Sequence, residues 1–564
     1  MKRRQFNKLL TLSSGIVTSA SSLYSFDRVY QQEISTPEPD VVVAGAGLGG
    51  CAAAWALLRK GMTVVLTEET HWIGGQMTSQ GVPPDEHQWI ETMGAPKSYR
   101  IFRDAIRSYY RANYPLSEDA KQRQNLNPGN GAVSRLCHEP RVAQTVLSDF
   151  MTPYLSNGKL QILLKHRVIQ AESSHDRVES VVVENLLNGE KINLSAKFFV
   201  DATELGDLLP LTGTEYVNGS ESKKESQELH GGEVANPQNV QAFTMCFAMD
   251  YIDGANLIID KPEQYDFWKN YVPELTPPWS GKLLDLNYSN PKTLQPKALG
   301  FDPRGNATGA NLNLWNYRRI VDPANFEPGF YQGGISIVNW PQNDYMLGNL
   351  IGASTSDFNN HLKRAKQLSL SLFYWLQTSA PRPDGGLGWP GLRLRGDIMG
   401  SDDGMALYPY IRESRRIKAR FTVKEEHVGA ENRLMVSGEK TAAHFSDSVG
   451  IGYYHIDLHP SCAGDNYIDF ASLPFQIPLG ALLPERMENL LPANKNIGTT
   501  HITNGCYRLH PVEWSIGEAV GLLIAYSLQK KLTPQGIYST ETHLADFQSY
   551  IRKEGIETEW HFDN

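Results

Sequence analysis

The densest run of chemistry-bearing side chains in the 564-residue sequence is Arg412-Glu413-Ser414-Arg415-Arg416. Guanidinium groups at this density, Arg412 and Arg415 foremost, suit bidentate binding of a carboxylate or the offsetting of negative charge on a cofactor. A solvated helix face with internal ion pairs is the plainer alternative. His459 stands two positions after Asp457, with His455 upstream and Pro460 directly after it. A histidine at such a strand-to-turn junction suits proton abstraction, or else is a structural histidine. His455 and His459 share H-x-x-x-H spacing, but the flanking Tyr453, Tyr454 and Pro460 favour a strand. Four strand residues span roughly 13 Å, so no metal site is expected there. His501 and Arg508 form a third group towards the C-terminus.

Such side chains act only where the backbone sets them, and the clearest element lies near the N-terminus. Segment 40–69 holds an apolar run at 41–44, then Gly45-Ala46-Gly47-Leu48-Gly49-Gly50, an Ala-rich stretch 51–60, Gly61, and a second apolar run at 63–67. Strand, turn, helix and strand within a unit of about 30 residues is the context that gives a G-x-G-x-x-G pattern meaning. Gly45 permits the tight turn, Gly47 lets backbone approach a pyrophosphate, and Gly50 lets helix and strand pack closely. The helix N-terminus adds N–H donors and a positive dipole end. Glu68, closing the second strand, is placed to accept hydrogen bonds from a ribose 2′-hydroxyl.

Three later segments share a common likeness. Residues 70–81, THWIGGQMTSQG, resemble the flavoprotein segment in which a Gly-Gly pair admits the FAD pyrophosphate and flavin, with Gly75 and Gln76 as contacts. Residues 197–207, KFFVDATELGD, resemble the "DATGDGD" element that returns the chain to the cofactor, through Asp201, Ala202 and Gly206; Glu204-Leu205 replaces the usual Gly-Asp. Residues 488–528 resemble the closing flavin element, a strand, a turn at Gly498 and a helix carrying Ile516 and Gly517, and they enclose His501 and Arg508. A helix N-terminus aimed at the ring's pyrimidine side favours negative charge there. In similar proteins a residue placed like Val168 offers backbone bonds to adenine; an ordinary sheet residue is the alternative. In this order the segments resemble the FAD-dependent oxidoreductase family, of glutathione-reductase type, over about residues 38–530. Segments 410–417 and 454–460 resemble further marks of it. The resemblance implies an FAD enzyme, oxidase or dehydrogenase, that moves a hydride from a small-molecule substrate to FAD and on to an unidentified electron acceptor. A flavin electron-transfer protein without its own substrate site is the alternative.

The anchors imply an α/β fold: a discontinuous Rossmann-like FAD-binding domain (38–215 and 485–535) with an inserted α+β substrate domain (240–484). Residues 216–239 read as a polar linker and 536–564 as a C-terminal segment. A strand is expected at 240–250, another at 160–168, and a helix at 362–378 with Leu368, Leu372 and Leu376 on one face. Fifty-three basic against 62 acidic residues give a net charge of −9, with no long basic run. That balance argues against a nucleic-acid partner. No 18-residue apolar run is present, so no transmembrane segment is expected. Five widely spaced cysteines without C-x-x-C suggest buried thiols, with one long-range disulfide as the alternative. The N-terminus, MKRRQFNKLL, followed by a short Ser-rich apolar stretch, resembles a twin-arginine export signal. Residues 1–36 are therefore read as lying outside the fold, as a signal or a disordered basic tail, and the protein as exported to the periplasm or cell envelope.

Overall fold

The middle strand of the molecule's five-stranded parallel sheet is β1 (Val41–Ala44) in the computed structural model, which describes residues 38–562. The N-terminal export reading lies outside the described residues. After β1 come α1 (Leu48–Arg59), β2 (Val64–Glu68), β3 (Leu160–Leu164) and β4 (Phe198–Asp201). Much later come α2 (Thr355–Thr378), β5 (Leu490–Pro492) and α3 (His510–Lys530). The sheet order is β5-β4-β1-β2-β3, with Val41 opposite both Phe198 and Val64. A parallel sheet is covered on both faces, which explains why its strands are apolar throughout rather than alternating. Val41, Val43 and Leu66 join the core beneath α1 and α3. Val42, Ala44 and Val65 face a three-stranded antiparallel sheet (His166–Ser174, Arg177–Asn185, Lys191–Ser195) through Val168, Val181 and Val183.

Two close approaches fix this unit. Gly45 has φ +91°, and a Cβ there would stand 2.3 Å from the Ala202 carbonyl oxygen, so β1 can turn into α1 only with glycine. On the other side α3 crosses α1 backbone to backbone. A Cβ on Gly517 would lie 2.0 Å from the Gly49 oxygen, and one on Gly521 would lie 2.5 Å from that of Ala53.

The stretch 240–484 builds a second core around an antiparallel sheet ordered Arg319–Val321, Ile335–Val338, Phe247–Tyr251 and Leu392–Leu394. Leu368, Leu372 and Leu376 of α2 pack into it, as their spacing predicts. The helix starts at Thr355 instead of 362 because the Ser354 hydroxyl accepts a bond from the Asp357 N–H, 3.1 Å. The strand expected at 240–250 is two short strands, Phe243–Thr244 and Phe247–Tyr251. The strand expected at 160–168 divides at Lys165, whose φ of 57° sends the chain from the parallel sheet into the antiparallel one.

Residues 216–239 are not a solvated linker. Tyr216–Val217 pairs with Arg416–Ile417, Ser222 and Glu225 form a capping box, and buried Glu228 accepts bonds from the Glu425 N–H and the Thr500 hydroxyl. Their polar side chains spend themselves on hydrogen bonds to distant segments. The C-terminal stretch carries the helix Glu541–Lys553 and then Trp560, whose ring centroid lies 5.7 Å from that of Trp89. All five cysteines are free thiols. Among the described residues no helix is long and apolar enough to cross a membrane.

Gly517→Ala adds a methyl group where backbone already sits. It is expected to destabilise the protein by about 1–3 kcal/mol, as overpacking does. A lowered denaturation midpoint checks this, and an unchanged midpoint would mean that α1 and α3 separate without cost.

Candidate active site

A cavity, partly open to solvent, lies at the C-terminal ends of β1, β2 and β4. Ligands of open α/β sheets gather at such ends. Gly45, Gly47 and Gly75 form one side; Glu68, Glu69, Arg167 and Val168 form a second. Ala202, Thr203, Glu204 and Asp207 form a third, and Ser79, Gln80 and Tyr408 close it. Gln80 is fully buried, yet neither amide atom has a partner. An orphaned buried amide is costly and marks a place for a ligand. The Glu68 carboxylate accepts bonds from Thr70 N (2.9 Å), Thr70 Oγ1 (2.8 Å) and Ala46 N (3.2 Å), and burial still pushes its pKa up to about 7. Burial, and then the charge of Asp207, pushes Glu69 up to about 8. Glu204 pairs with the fully buried ammonium of Lys495, and its Oε1 lies 3.2 Å and 3.1 Å from where Cβ atoms of Gly47 and Gly75 would stand.

A polar network adjoins this cavity. Gln76 donates to the Arg508 carbonyl oxygen (3.0 Å) and to Glu513, whose Oε1 accepts from the Gly49 N–H (3.0 Å) at the start of α1. The Arg508 guanidinium reaches Asp457 Oδ2 (3.2 Å) and the Tyr410 hydroxyl (3.1 Å). His459 Nδ1 pairs with Asp344 Oδ2 at 2.6 Å, while its Nε2 stands 3.6 Å from Asp457 Oδ2. Arg412 closes the ring: it pairs with Asp344 Oδ1 at 2.9 Å and lies over the Tyr410 ring, 4.9 Å from its centroid. Beside it, Arg318 pairs with Asp85 (3.3 Å), and the Asp85 N–H donates to His510 Nδ1 (3.1 Å). Burial would raise the Asp344 and Asp457 carboxyls. Arg412 and His459 outweigh it at Asp344, and His459 and Arg508 at Asp457, so both are held below the usual range. Burial lowers His510 to about 4, so it is neutral at pH 7.

The family model described as FAD dependent oxidoreductase matches residues 40–550. The chain belongs to that family. FAD is its cofactor, and the protein is an FAD-dependent oxidoreductase enzyme. An L-amino acid oxidase of Cerastes cerastes is 31% identical over 97 residues, which is 17% of this chain and 18% of that protein. The chain thus matches under a fifth of the length of that curated relative. Among solved structures, a geranylgeranyl bacteriochlorophyll reductase-like protein from Thermoplasma acidophilum is 10% identical at a TM-score of 0.31, covering 92% of this chain and 85% of that one. The E. coli quinol fumarate reductase subunit FrdA is 11% identical at a TM-score of 0.30, covering 92% of this chain and 74% of that one.

The cavity fits part of an FAD: glycine backbone at its wall, a carboxylate at the end of β2, and an unpartnered amide. Of the residues picked from sequence for the FAD-dependent oxidoreductase, Gly45, Gly47, Glu68, Gly75, Val168 and Ala202 line the cavity. Gln76 sits behind it. Asp201 lies beneath, its carboxylate accepting from Thr203 N (3.0 Å) and Leu208 N (3.1 Å) to shape the turn. Gly206 has φ +68° and backs onto Arg415. Gly50, Gly498, Ile516 and Gly517 are packing residues away from the lining; Gly498 is pressed against Ala419. Arg412, His459 and Arg508 meet in one network. Arg415 leaves it to pair with Asp207 (3.0 Å) beside the cavity, and His501 is bound to Glu413 (2.8 Å), which also holds Arg416. The arginine segment is buried and extended, not a solvated helix face. Sequence reasoning missed Asp344, Asp85, Arg318 and Gln80. Gln80 lay within the quoted 70–81 segment; the other three carry no local pattern.

The His510 pKa of about 4 lies below the unfolded value near 6.5. Between those values the unfolded chain takes a proton that the folded protein refuses. Stability from this group is therefore complete above pH 6.5 and falls as pH drops towards 4, by up to about 3 kcal/mol. His510→Asn keeps an acceptor for the Asp85 N–H without the titration. Unfolding midpoints measured from pH 7 to 4 are expected to fall less steeply for the variant than for the parent.

Proposed function

We propose that the enzyme oxidises a small organic substrate by hydride transfer to FAD, with His459 taking the substrate's proton. The observation that carries this reading is the His459–Asp344 pair. A 2.6 Å bond from Nδ1–H to a buried carboxylate fixes the orientation of the imidazole and turns Nε2 towards Asp457. Asp344 is itself held by Arg412 and by the Thr244 hydroxyl, so the imidazole is oriented by a rigid support. FAD supplies the two-electron acceptor. Arg508 steadies Asp457 opposite Nε2, and Gln76 ties Arg508 to the cavity wall.

Arg412 is a positioning residue in this reading. Its Nη atoms are spent on Asp344, Ala242 O (2.8 Å), Thr244 Oγ1 (2.9 Å) and Asn339 Oδ1 (3.2 Å), which leaves no fork for a substrate carboxylate. Arg415 belongs to the nucleotide side through Asp207, and His501 to the packing around Glu413. For the cofactor we assign Gly47 and Gly75 to close backbone approach, Glu68 to a ribose hydroxyl, Val168 to the adenine end, and Gln80 to the ligand through its free amide. A pure electron carrier has no need of an oriented imidazole, so the enzyme reading is preferred.

His459→Ala should keep the visible flavin spectrum and slow flavin reduction by substrate about 10²–10⁴-fold. Anaerobic stopped-flow reduction measures this, and a wild-type rate with every substrate that bleaches the parent would remove His459 from the chemistry.

We also propose export of the protein through the Arg3-Arg4 signal-like segment. Arg3-Arg4 replaced by Lys-Lys should hold the precursor in the cytoplasm with its FAD bound, as cell fractionation would read; normal export of that form would point to another route.

A further inference from the structure

The glycine side of the cavity holds an anion of the protein's own. Gly47, the N-cap of α1, and Gly75 lie close together: a Cβ built on Gly75 would stand 2.8 Å from the Gly47 Cα. Beside both missing side chains stands the Glu204 carboxylate, its Oε1 3.2 Å from the Cβ position of Gly47 and 3.1 Å from that of Gly75. Glu513 Oε1 reaches the same Gly47 position, 3.2 Å, while it accepts the Gly49 N–H. A carboxylate offers the charge and the acceptor oxygens of a phosphate, and it stands here where the start of a helix favours an anion.

The cation behind it is Lys495, three residues past β5 and fully buried. Its Nζ bonds Glu204 Oε2 and Asn494 Oδ1 (3.0 Å). Asn494 is anchored in turn, its Nδ2 donating to the Ala202 and Thr203 carbonyl oxygens at 3.3 Å each. The ammonium is thus fixed from the protein side. Glu204 is held differently. Asp201 Oδ1 and Thr203 Oγ1 secure the backbone of its turn, by accepting from Thr203 N and Asp207 N, whereas its side chain lies at the cavity wall and is 12% exposed. Two carboxylates also share the one ammonium: burial pushes Glu513 up to about 7, Lys495 draws it down, and Glu204 raises it.

Building on the assignment of Gly47 and Gly75 to close backbone approach, we propose that Lys495 is the cationic partner of the FAD pyrophosphate and that Glu204 is a displaceable anion holding its place. As the cofactor loads, the Glu204 side chain turns out towards the cavity mouth and Lys495 exchanges one anion for another. The buried ammonium is paired before and after, which avoids the large cost of leaving it alone. Displacing the carboxylate costs affinity, so Glu204 sets how tightly the cofactor is held.

The test dilutes the holoenzyme and reads released FAD by its fluorescence, which gives a dissociation constant without any substrate. Glu204→Gln keeps the shape without the charge and should tighten FAD binding by roughly tenfold, since like charges set side by side are costly. Lys495→Met should weaken it by roughly thirtyfold or more, as cutting away one member of a buried charge pair does. The double variant separates the two roles. It should still bind FAD more weakly than Glu204→Gln by roughly tenfold or more. Recovery of the double variant to the Glu204→Gln level means that Lys495 serves Glu204 alone, and overturns the proposal. Unchanged or weaker binding by Glu204→Gln overturns it too, and decides the matter if Lys495→Met fails to fold. Gly47→Val tests the underlying assignment and should purify without FAD. Full FAD in that variant removes the cradle and this inference together, whereas loss of FAD there with failure of the Glu204 and Lys495 arms leaves the cradle standing.

Discussion

The contact between the start of α1 and the start of α3 is the constraint on which the rest of the molecule depends. Glu513 bonds the Gly49 N–H across 464 positions of sequence, and the Gly517 and Gly521 positions let the two helices meet at backbone distance. Any side chain there would push α3 away from α1. The consequence runs past packing, because the residues just before and within the first turn of α3 are Arg508 and His510. Glu513 also holds Gln76, and Gln76 holds the Arg508 carbonyl oxygen. One helix crossing thus fixes the distance between the glycine-lined cavity and the histidine–carboxylate network. A cofactor that spans from a nucleotide end to a reacting end needs that distance to be constant.

Around His459 the protein spends charge on orientation. Arg412, Asp344, His459, Asp457, Arg508 and Tyr410 form a closed ring of contacts, and most of these groups are shielded from water. Buried ion pairs gain little net stability, because desolvation consumes most of the Coulomb attraction. Their service here is geometric. Each carboxylate is held from more than one side, so neither can swing to take the imidazole proton in a different arrangement. The cavity handles charge differently. Glu68, Glu69 and Asp207 are all pushed upward in pKa by burial, and the cationic partners near them are Arg167 and Arg415. A hydroxylated and partly anionic ligand meets carboxylates that are protonated or shared, not a fixed negative wall.

Much of the parallel sheet was legible because its signals are local. A glycine at positive φ, an apolar four-residue strand and an Ala-rich helix are all written within residues 40–69, and β4 and β5 announce themselves in the same way. Several features were illegible because their causes are distant. Lys165 bends one expected strand into two sheets through its own left-handed conformation, which no residue pattern near it demands. The polar run at 216–239 looks solvated, but Glu228 exists to receive bonds from Glu425 and Thr500. The arginine segment shows the limit most clearly: its spacing was readable, whereas its partition into Arg412 for Asp344, Arg415 for Asp207 and Arg416 for Glu413 is set by tertiary packing. The early start of α2 is a different case. Ser354 with Asp357 is a cap written in plain sequence, overshadowed by the apolar spacing that follows.

Glu204 shows how a departure from a familiar pattern acquires a physical reason. It stands where the related element usually has glycine, and its carboxylate lies between the glycines at 47 and 75, the two positions whose missing side chains open the cavity. An unpaired carboxylate there would repel a pyrophosphate. Lys495, fully buried, forms an ion pair with it and also donates to Asn494 Oδ1 at 3.0 Å. The pair is close to neutral, so the cavity keeps acceptor oxygens for hydroxyl groups without presenting a net charge to a phosphate. The same rule governs the network at His459, where Arg318, Arg412 and Arg508 are matched to Asp85, Asp344 and Asp457.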